Sequence, residues 1–495
     1  MNLRYLLTLI LCVVLVYLLA VPYTVESQVQ DGRWSDPFRL STNEGSVSES
    51  VIFSDQFGFV HVIWIENGYD DGRSQIYYSN YDGNTWAAPI DIYRAGIFDA
   101  IGHLSADIDQ AGTIHLVWTE GGAYRIRPIY YMKAPAQEAL SAQSWSKPLS
   151  LGIRAHLVNL LVDSEGILHF LFTKYYGNDP GVYYTQSDDR GDTWSVSTWL
   201  DPDIPVGHSP DKLKFSIDTT DGLHAVWYYG PTDHSSANWI RYSHSLDGLS
   251  WIRPVTIDKD NTETGRLSSS DPLIITQDEH IHILWWPGLA AEQDFARYHQ
   301  ISMNRGQTWG PAVPIFANLE GQAFDGLVVD SANRIHYFGQ IRYPQGIYHA
   351  IFQNYQWSLP ELIYLITRNS GEPISDDVIH AHHLHPALLA GNQLVLVLHD
   401  SPSDEMRQLY VMTRMLDDVP KEQIVSLSTS TPYFTPVSTL TNSTEIPIPH
   451  TTLQVDMDST ESNKSAINLP LWIGAGFALI FVGIVFVIRF IKVSK

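Results

Sequence analysis

Short apolar stretches recur along most of the chain, and clusters of glycine, aspartate, asparagine and serine break them at close intervals. One stretch is Gly58-Phe59-Val60-His61-Val62-Ile63-Trp64. It returns as Gly112-Thr113-Ile114-His115-Leu116-Val117-Trp118 and as Gly166-Ile167-Leu168-His169-Phe170-Leu171-Phe172. Further copies centre on His224, His282 and His336, and a degenerate one runs through Leu394-Val395-Leu396-Val397. Successive histidines lie 54 to 58 residues apart, and in five copies an aspartate (Asp55, Asp109, Asp163, Asp218, Asp330) stands six residues before the histidine. Runs of this length, rich in β-branched and aromatic residues and bounded by turn formers, predict strands.

Three other strand patterns share the period. A tyrosine pattern follows each histidine: Ile76-Tyr77-Tyr78, Ile129-Tyr130-Tyr131, Val182-Tyr183-Tyr184, Ile240-Arg241-Tyr242, Ala296-Arg297-Tyr298, Ile347-Tyr348-His349 and Leu409-Tyr410-Val411. Next comes Trp with Pro three positions on, at Trp34, Trp86, Trp145, Trp251 and Trp357, with looser copies at Trp194 and Trp309. Another short apolar strand, such as Leu104 to Ile108, precedes each histidine strand. Four short strands per period, repeated radially, predict an all-β propeller of four-stranded blades. The count is seven blades, or six if the degenerate repeat at Leu394 is appended rather than inserted. Because a Trp-Pro strand at Trp34 precedes the first full repeat and the last repeat ends at Arg414 without one, the N-terminal strand is expected to complete the last blade and remove an open edge.

Between the tyrosine and tryptophan strands lie polar turns: Ser187-Asp188-Asp189-Arg190-Gly191-Asp192-Thr193-Trp194, Ser302-Met303-Asn304-Arg305-Gly306-Gln307-Thr308-Trp309, Ser245-Leu246-Asp247-Gly248-Leu249-Ser250-Trp251 and Ser79-Asn80-Tyr81-Asp82-Gly83-Asn84-Thr85-Trp86. The sequence between about residues 30 and 415 resembles the sialidase-like (neuraminidase) propeller superfamily with its Asp-box repeats. The resemblance implies that these boxes lie on the face away from the active site, so they specify fold rather than chemistry. It also implies, for an enzyme, three arginines on a substrate carboxylate, a tyrosine nucleophile helped by a glutamate, and an aspartate acid/base. Tyr124-Arg125-Ile126-Arg127-Pro128 is similar to the family's Phe/Tyr-Arg-Ile-Pro motif, but an extra arginine interrupts it and it falls at the start of a tyrosine strand. No arginine triad carries over residue by residue.

The ends change the picture. Met1-Asn2-Leu3-Arg4, the apolar run Tyr5 to Ala20 and small residues near Ser27 predict a signal peptide over 1–27, with an uncleaved anchor as the alternative. Leu469 to Ile488 carries no charge and is long enough to span a bilayer, with Trp472 near one end and Arg489, Lys492 and Lys495 beyond the other. The expected organisation is a propeller over 28–418, a Ser/Thr/Pro-rich stalk over 419–467, a membrane helix over 468–488 and a short cytoplasmic tail over 489–495. The propeller is then expected on the extracellular side of a cell membrane. The only cysteine, Cys12, lies in the leader, so a mature chain has no thiol chemistry and no disulfide. A net charge of −24 without a basic patch argues against nucleic acid.

Propeller ligands sit where loops enter the innermost strands. Twelve residues before each repeat histidine, this register reads Glu49, His103, Leu157, Lys212, Ser270, Phe324 and His383, with His156, Asp271, Asp325 and His385 beside it. Arg94, Arg154 and Arg266 lie on the same connections and suit carboxylate contacts. Each alone reads as a solvated loop residue, and the common register carries the argument. The ligand-binding candidates are Glu49, His103, Arg154, His156, Lys212, Arg266, Asp271, Asp325, His383 and His385. Histidines alternate through His380-Ala381-His382-His383-Leu384-His385, yet no further ligand at fixed spacing completes a metal site, and no metal or cofactor is expected. The repeat histidines read as structural, since chemistry does not need six copies. Three functions remain open: recognition of a glycan or an extracellular protein at the channel mouth, hydrolysis of exo-sialidase type, and a structural spacer.

Overall fold

Each histidine stretch, and the degenerate one at Leu394, becomes the second strand of an antiparallel sheet; seven sheets form, six of four strands and the one around His336 of five. The computed structural model describes residues 33–425, except 43–44, 69–72, 97–98, 123–126, 176–178, 205, 232–238, 260–271, 286–296, 317–318, 344, 366–381 and 402–405. The predicted signal peptide, most of the stalk, the apolar segment 468–488 and the tail lie outside the described residues. Among the described residues no helix is long and apolar enough to cross a membrane.

We label the strands of each blade a to d from the channel outward. Blade 1 comprises Gly45–Ser54, Val60–Gly68, Ser74–Tyr81 and Ile90–Arg94, and blade 2 Ala100–Ile108, Thr113–Gly121, Arg127–Pro135 and Leu149–Ala155. The remaining innermost strands are Val158–Val162, His208–Ile217, Leu273–Gln277, Glu320–Val329 and His382–Leu389. Each contacts the next, and the last contacts that of blade 1, so the ring closes. Seven blades settle the count, with the repeat at Leu394 supplying strand b of a full blade. Strand d of blade 7 is Phe38–Arg39, paired antiparallel with Val411 and Tyr410, as the phase of the repeats predicts.

Strand b is buried on both faces because blades stack on either side; Trp64, Trp118, Trp227 and Trp285 are fully buried. At its start, the repeat aspartate and histidine make one hydrogen-bonded unit. Asp55 Oδ1 accepts the backbone N–H of Phe57 and Phe59, closing the a–b turn, while Oδ2 meets His61 Nε2 at 3.2 Å. His61 Nδ1 reaches the Tyr78 hydroxyl on strand c at 2.8 Å. The same bridge recurs as Asp109–His115–Tyr131, Asp163–His169–Tyr184 and Asp218–His224–Tyr242. In blade 6 a histidine replaces the phenol, giving Asp330–His336–His349. Burial acts against the Asp218 carboxylate, but His224 and the turn N–H groups outweigh it and hold its pKa well below the usual carboxylate range.

Two blades depart from the pattern. In blade 5 the a–b turn is shorter and Gln277 stands where the aspartate would be, and His282 Nδ1 pairs with His299 Nε2 at 3.0 Å. The Trp357 indole N–H donates to His299 Nδ1, so His299 carries its proton on Nε2 and donates to His282. Blade 7 has Leu389, Val395 and Val411 at the three positions, all in one apolar cluster. This register corrects the sequence reading by one residue in blade 5, where Arg297-Tyr298-His299 is the counterpart of Ile76-Tyr77-Tyr78. In blade 7 the counterpart is Leu409-Tyr410-Val411, as the sequence reading has it. The histidine in blade 5 hid the shift.

The strand-c aromatic also joins blades. Trp145 of blade 2 packs edge-on against Tyr78 of blade 1, and the pattern continues as Trp194 on Tyr131, Trp309 on Tyr242, Trp357 on His299 and Trp34 on His349. The c–d turn glycine fits under the same phenol. A Cβ on Gly306, which has φ +78°, would overlap the Tyr242 hydroxyl.

Removing the phenol oxygen with Tyr242→Phe strands His224 Nδ1 and is expected to cost about 1–3 kcal/mol in denaturant unfolding. Replacing the pair as blade 7 does, with His224→Val and Tyr242→Val together, is expected to cost less than the two single changes summed. Additive costs would refute that reading. A second expectation concerns pH. Burial lowers His282 to about 2 and His299 to about 4, below the ~6.5 of an unfolded histidine. The unfolded chain therefore binds protons that the folded chain refuses, and the melting temperature falls as pH drops from about 6.5 towards 4. A His282→Leu/His299→Leu variant should show a shallower slope across that range, and an unchanged slope would count against this origin.

Candidate functional site

The face opposite the a–b and c–d turns receives the d-to-a connections, and there the innermost strands share an irregularity. Register breaks fall between Val47 and Glu49 in blade 1, Ile101 and Leu104 in blade 2, Asp211 and Lys214 in blade 4, Gln322 and Asp325 in blade 6, and His382 and His385 in blade 7. Such β-bulges re-aim side chains that a regular pleat would place on alternate faces. The predicted register of Glu49, His103, Lys212, Phe324 and His383 is the bulge register. In blade 2 the His103 N–H donates to Thr119 Oγ1, and in blade 3 the Leu157 N–H donates to Thr173 Oγ1. A threonine at the end of strand b thus holds both chains where the ladder lapses.

Three of the candidates meet. His103 Nδ1 lies 3.2 Å from Glu49 Oε2, with both side chains partly exposed. The His156 ring packs edge-on against His103 at 5.2 Å, and Tyr175 packs against His156 at 5.4 Å. A continuous line of carboxylate, two imidazoles and a phenol thus crosses blades 1, 2 and 3. Arg127 joins it from strand c of blade 2: its guanidinium lies against Gly102, inside the bulge, where a Cβ would overlap it. Burial lowers the Arg127 pKa.

Asp325 and His385 lie elsewhere around the channel. With Lys214, Phe215, Leu273 and Leu384 they line a cavity of about 180 Å³. Asp325 is tied by the guanidinium of Arg297, which reaches from blade 5 to blade 6, and both side chains are buried. Its carboxylate therefore serves the seam between blades before any ligand. Lys212 sits in the blade 4 bulge with φ +51°, its N–H bonded to Asp211 Oδ1. Arg154 is exposed on the outer strand of blade 2 opposite Pro128, and Arg94 lies on the outer strand of blade 1 opposite Gln75, both away from the innermost strands. Arg266 and Asp271 lie outside the described residues, and so does the His383 side chain. Among the described residues no group of three or more His, Cys, Asp or Glu side chains is placed to hold a metal ion.

Tyr175, Arg127, Lys214 and Arg297 were missed from sequence. Arg127 carried a signal, since it belongs to the Tyr124–Pro128 run, but nothing local shows that strand c aims it at a bulge. Among the described residues Tyr93 and Glu120 form a Tyr-Glu pair between blades, with Glu120 buried and Tyr93 half-buried. Glu120 accepts the Trp118 indole N–H at 3.0 Å and the Gly96 N–H at 3.4 Å, which makes it a packing element.

No protein-family model matches this chain, and no curated protein matches it. Among solved structures it is similar to the polysaccharide lyase Uly1, with a TM-score of 0.48 and 10% identity over 78% of this chain and 93% of that one. A Dyadobacter fermentans protein of unknown function gives 0.46 and 12% over 77% and 98%. Trypanosoma rangeli sialidase in complex with the inhibitor DANA gives 0.43 and 10%; there the match covers 79% of this chain and 59% of the sialidase. At these values the comparison is one of fold, and the site is read from this chain's own residues.

The buried Arg297–Asp325 pair gives a direct check on the seam. Removing the cation with Arg297→Met takes the guanidinium partner from a buried carboxylate and is expected to destabilise the protein by about 3–5 kcal/mol. The double variant Arg297→Met/Asp325→Leu should recover most of that loss in the same unfolding measurement.

Proposed function

We propose that this chain is an exported, membrane-anchored propeller whose channel mouth recognises a glycan. The observation that carries the reading is the Glu49–His103–His156–Tyr175 line with Arg127 beside it. Sugar hydroxyls need donors and acceptors side by side, and sugar rings need flat partners for their C–H faces. Carboxylate, imidazole, phenol and guanidinium provide both at an entrance framed by rigid strands. The imidazoles sit at bulges of the innermost strands or next to them, so their positions are set by the scaffold rather than by a free loop. Export and anchoring rest on the apolar segments at the two ends of the sequence. The neuraminidase-repeat reading is supported by the turn after Ser187, where Asp189 accepts the Thr193 N–H and hydroxyl at 2.8 and 2.6 Å.

The test is a glycan array with the purified protein, followed by titration of the best ligand and by fluorogenic sialosides to detect turnover. Glu49→Gln and His103→Ala are expected to weaken binding about tenfold each, near 1.4 kcal/mol, with the melting temperature unchanged. Glycan binding indifferent to both substitutions would remove the mouth from the reading. Turnover of a sialoside would replace recognition with hydrolysis.

A further inference from the structure

The seven-fold pattern is broken twice on the turn face, on opposite sides of the seam between blades 1 and 2. In blade 1 the a–b turn carries Phe57 and Phe59, where the corresponding positions are Ala111 and Thr113 in blade 2 and Glu165 and Ile167 in blade 3. In blade 2 the tight c–d turn is replaced by a longer connection with two 3-10 turns, Ala136–Glu138 and Ala142–Ser144. The two departures face each other and enclose a cavity of about 320 Å³, lined by Phe57, Phe59, Asn80, Ala136, Gln137 and Leu140.

The cavity walls are fixed by bonds. The Ala136 N–H donates to Gly112 O at 2.8 Å, and the Trp145 indole N–H donates to Ala139 O at 2.9 Å, which pins the inserted turns to the blade. The Phe57 ring lies over Gly112, whose φ of +80° and missing Cβ let it approach. The exit segment of the chain adds to the rim: Ile424 packs on Gly58, and the Val425 N–H donates to Gln56 O. Leu140, Ile424 and Val425 are each more than 40% exposed, so the apolar surface continues outward from the cavity.

We infer that this seam cavity is a binding site for a small neutral molecule with a flat apolar body and an amide-like polar edge. The size falls at the lower end of small-molecule sites and suits one or two rings. Phe57, Phe59, Ala136 and Leu140 supply the apolar walls, and the Asn80 and Gln137 amides supply donors and acceptors. The ionisable groups at the floor are engaged within the protein: Asp55 binds two backbone N–H groups and His61, and His61 also binds Tyr78. An anionic ligand would meet no Lys or Arg among the lining residues, and a neutral one loses nothing there. The site lies on the face away from the mouth, so it is independent of the glycan reading.

Ligand-observed NMR on the full chain, with indole-3-acetamide as the neutral probe and indole-3-acetate as its anionic counterpart, tests the site. Saturable binding of the amide is expected, weakened at least about tenfold by Gln137→Trp, which fills the cavity from an exposed position. Leu140→Arg is a second exposed variant expected to act in the same direction, while His103→Ala at the mouth should leave probe binding unchanged. Absence of saturable binding, equal binding of the anion, or binding indifferent to both cavity variants would overturn the inference.

Discussion

The aspartate–histidine–phenol bridge at the foot of blades 1 to 4, with a histidine for the phenol in blade 6, is the interaction on which the ring depends. It performs three tasks with one set of atoms: it closes the a–b turn, ties strand b to strand c, and presents an aromatic ring to the next blade. A buried imidazole with both nitrogens satisfied is tolerated where a lone one would not be. Blade 7 dispenses with the bridge by making all three positions apolar, which shows that the seam requires matched partners rather than histidine itself. Blade 5 is the intermediate state: its carboxylate is gone while its imidazoles remain, held neutral by burial.

The mouth is organised on a different principle. There the ladder of the innermost strand lapses at one register in five of the blades, and the residues at and beside the lapse carry much of the ionisable chemistry. Regular pairing would place neighbouring side chains on opposite faces; the bulge relaxes that rule. The repeat thus fixes where a functional side chain stands, while its identity varies from blade to blade. Glu49, His103 and Lys212 occupy one geometric slot.

Much of this was legible in the sequence. The period, the histidine strands and the closing N-terminal strand follow from local patterns, and the site register follows from counting along them. What escaped depends on contacts between blades. The one-residue shift in blade 5 is invisible without pairing, because Tyr298 supplies a decoy tyrosine. Asp325 reads as a mouth acid until Arg297 of the neighbouring blade takes it. The inserted turns of blade 2 look like an ordinary long connection until Phe57 is found across the seam.

The pairing of Phe38 with Val411 has a further consequence, for the order of events in folding. Blades 1 to 6 are built from contiguous sequence and can form as each emerges. Blade 7 needs a strand made at the beginning and three made at the end, so its loop closure spans nearly the whole propeller. Contacts of such sequence separation form slowly. Until they form, the unfinished blade offers an open edge, the state most prone to pairing with another chain. The apolar trio Leu389, Val395 and Val411 suits this late step: non-directional packing lets the final blade assemble before hydrogen-bond geometry has to be met.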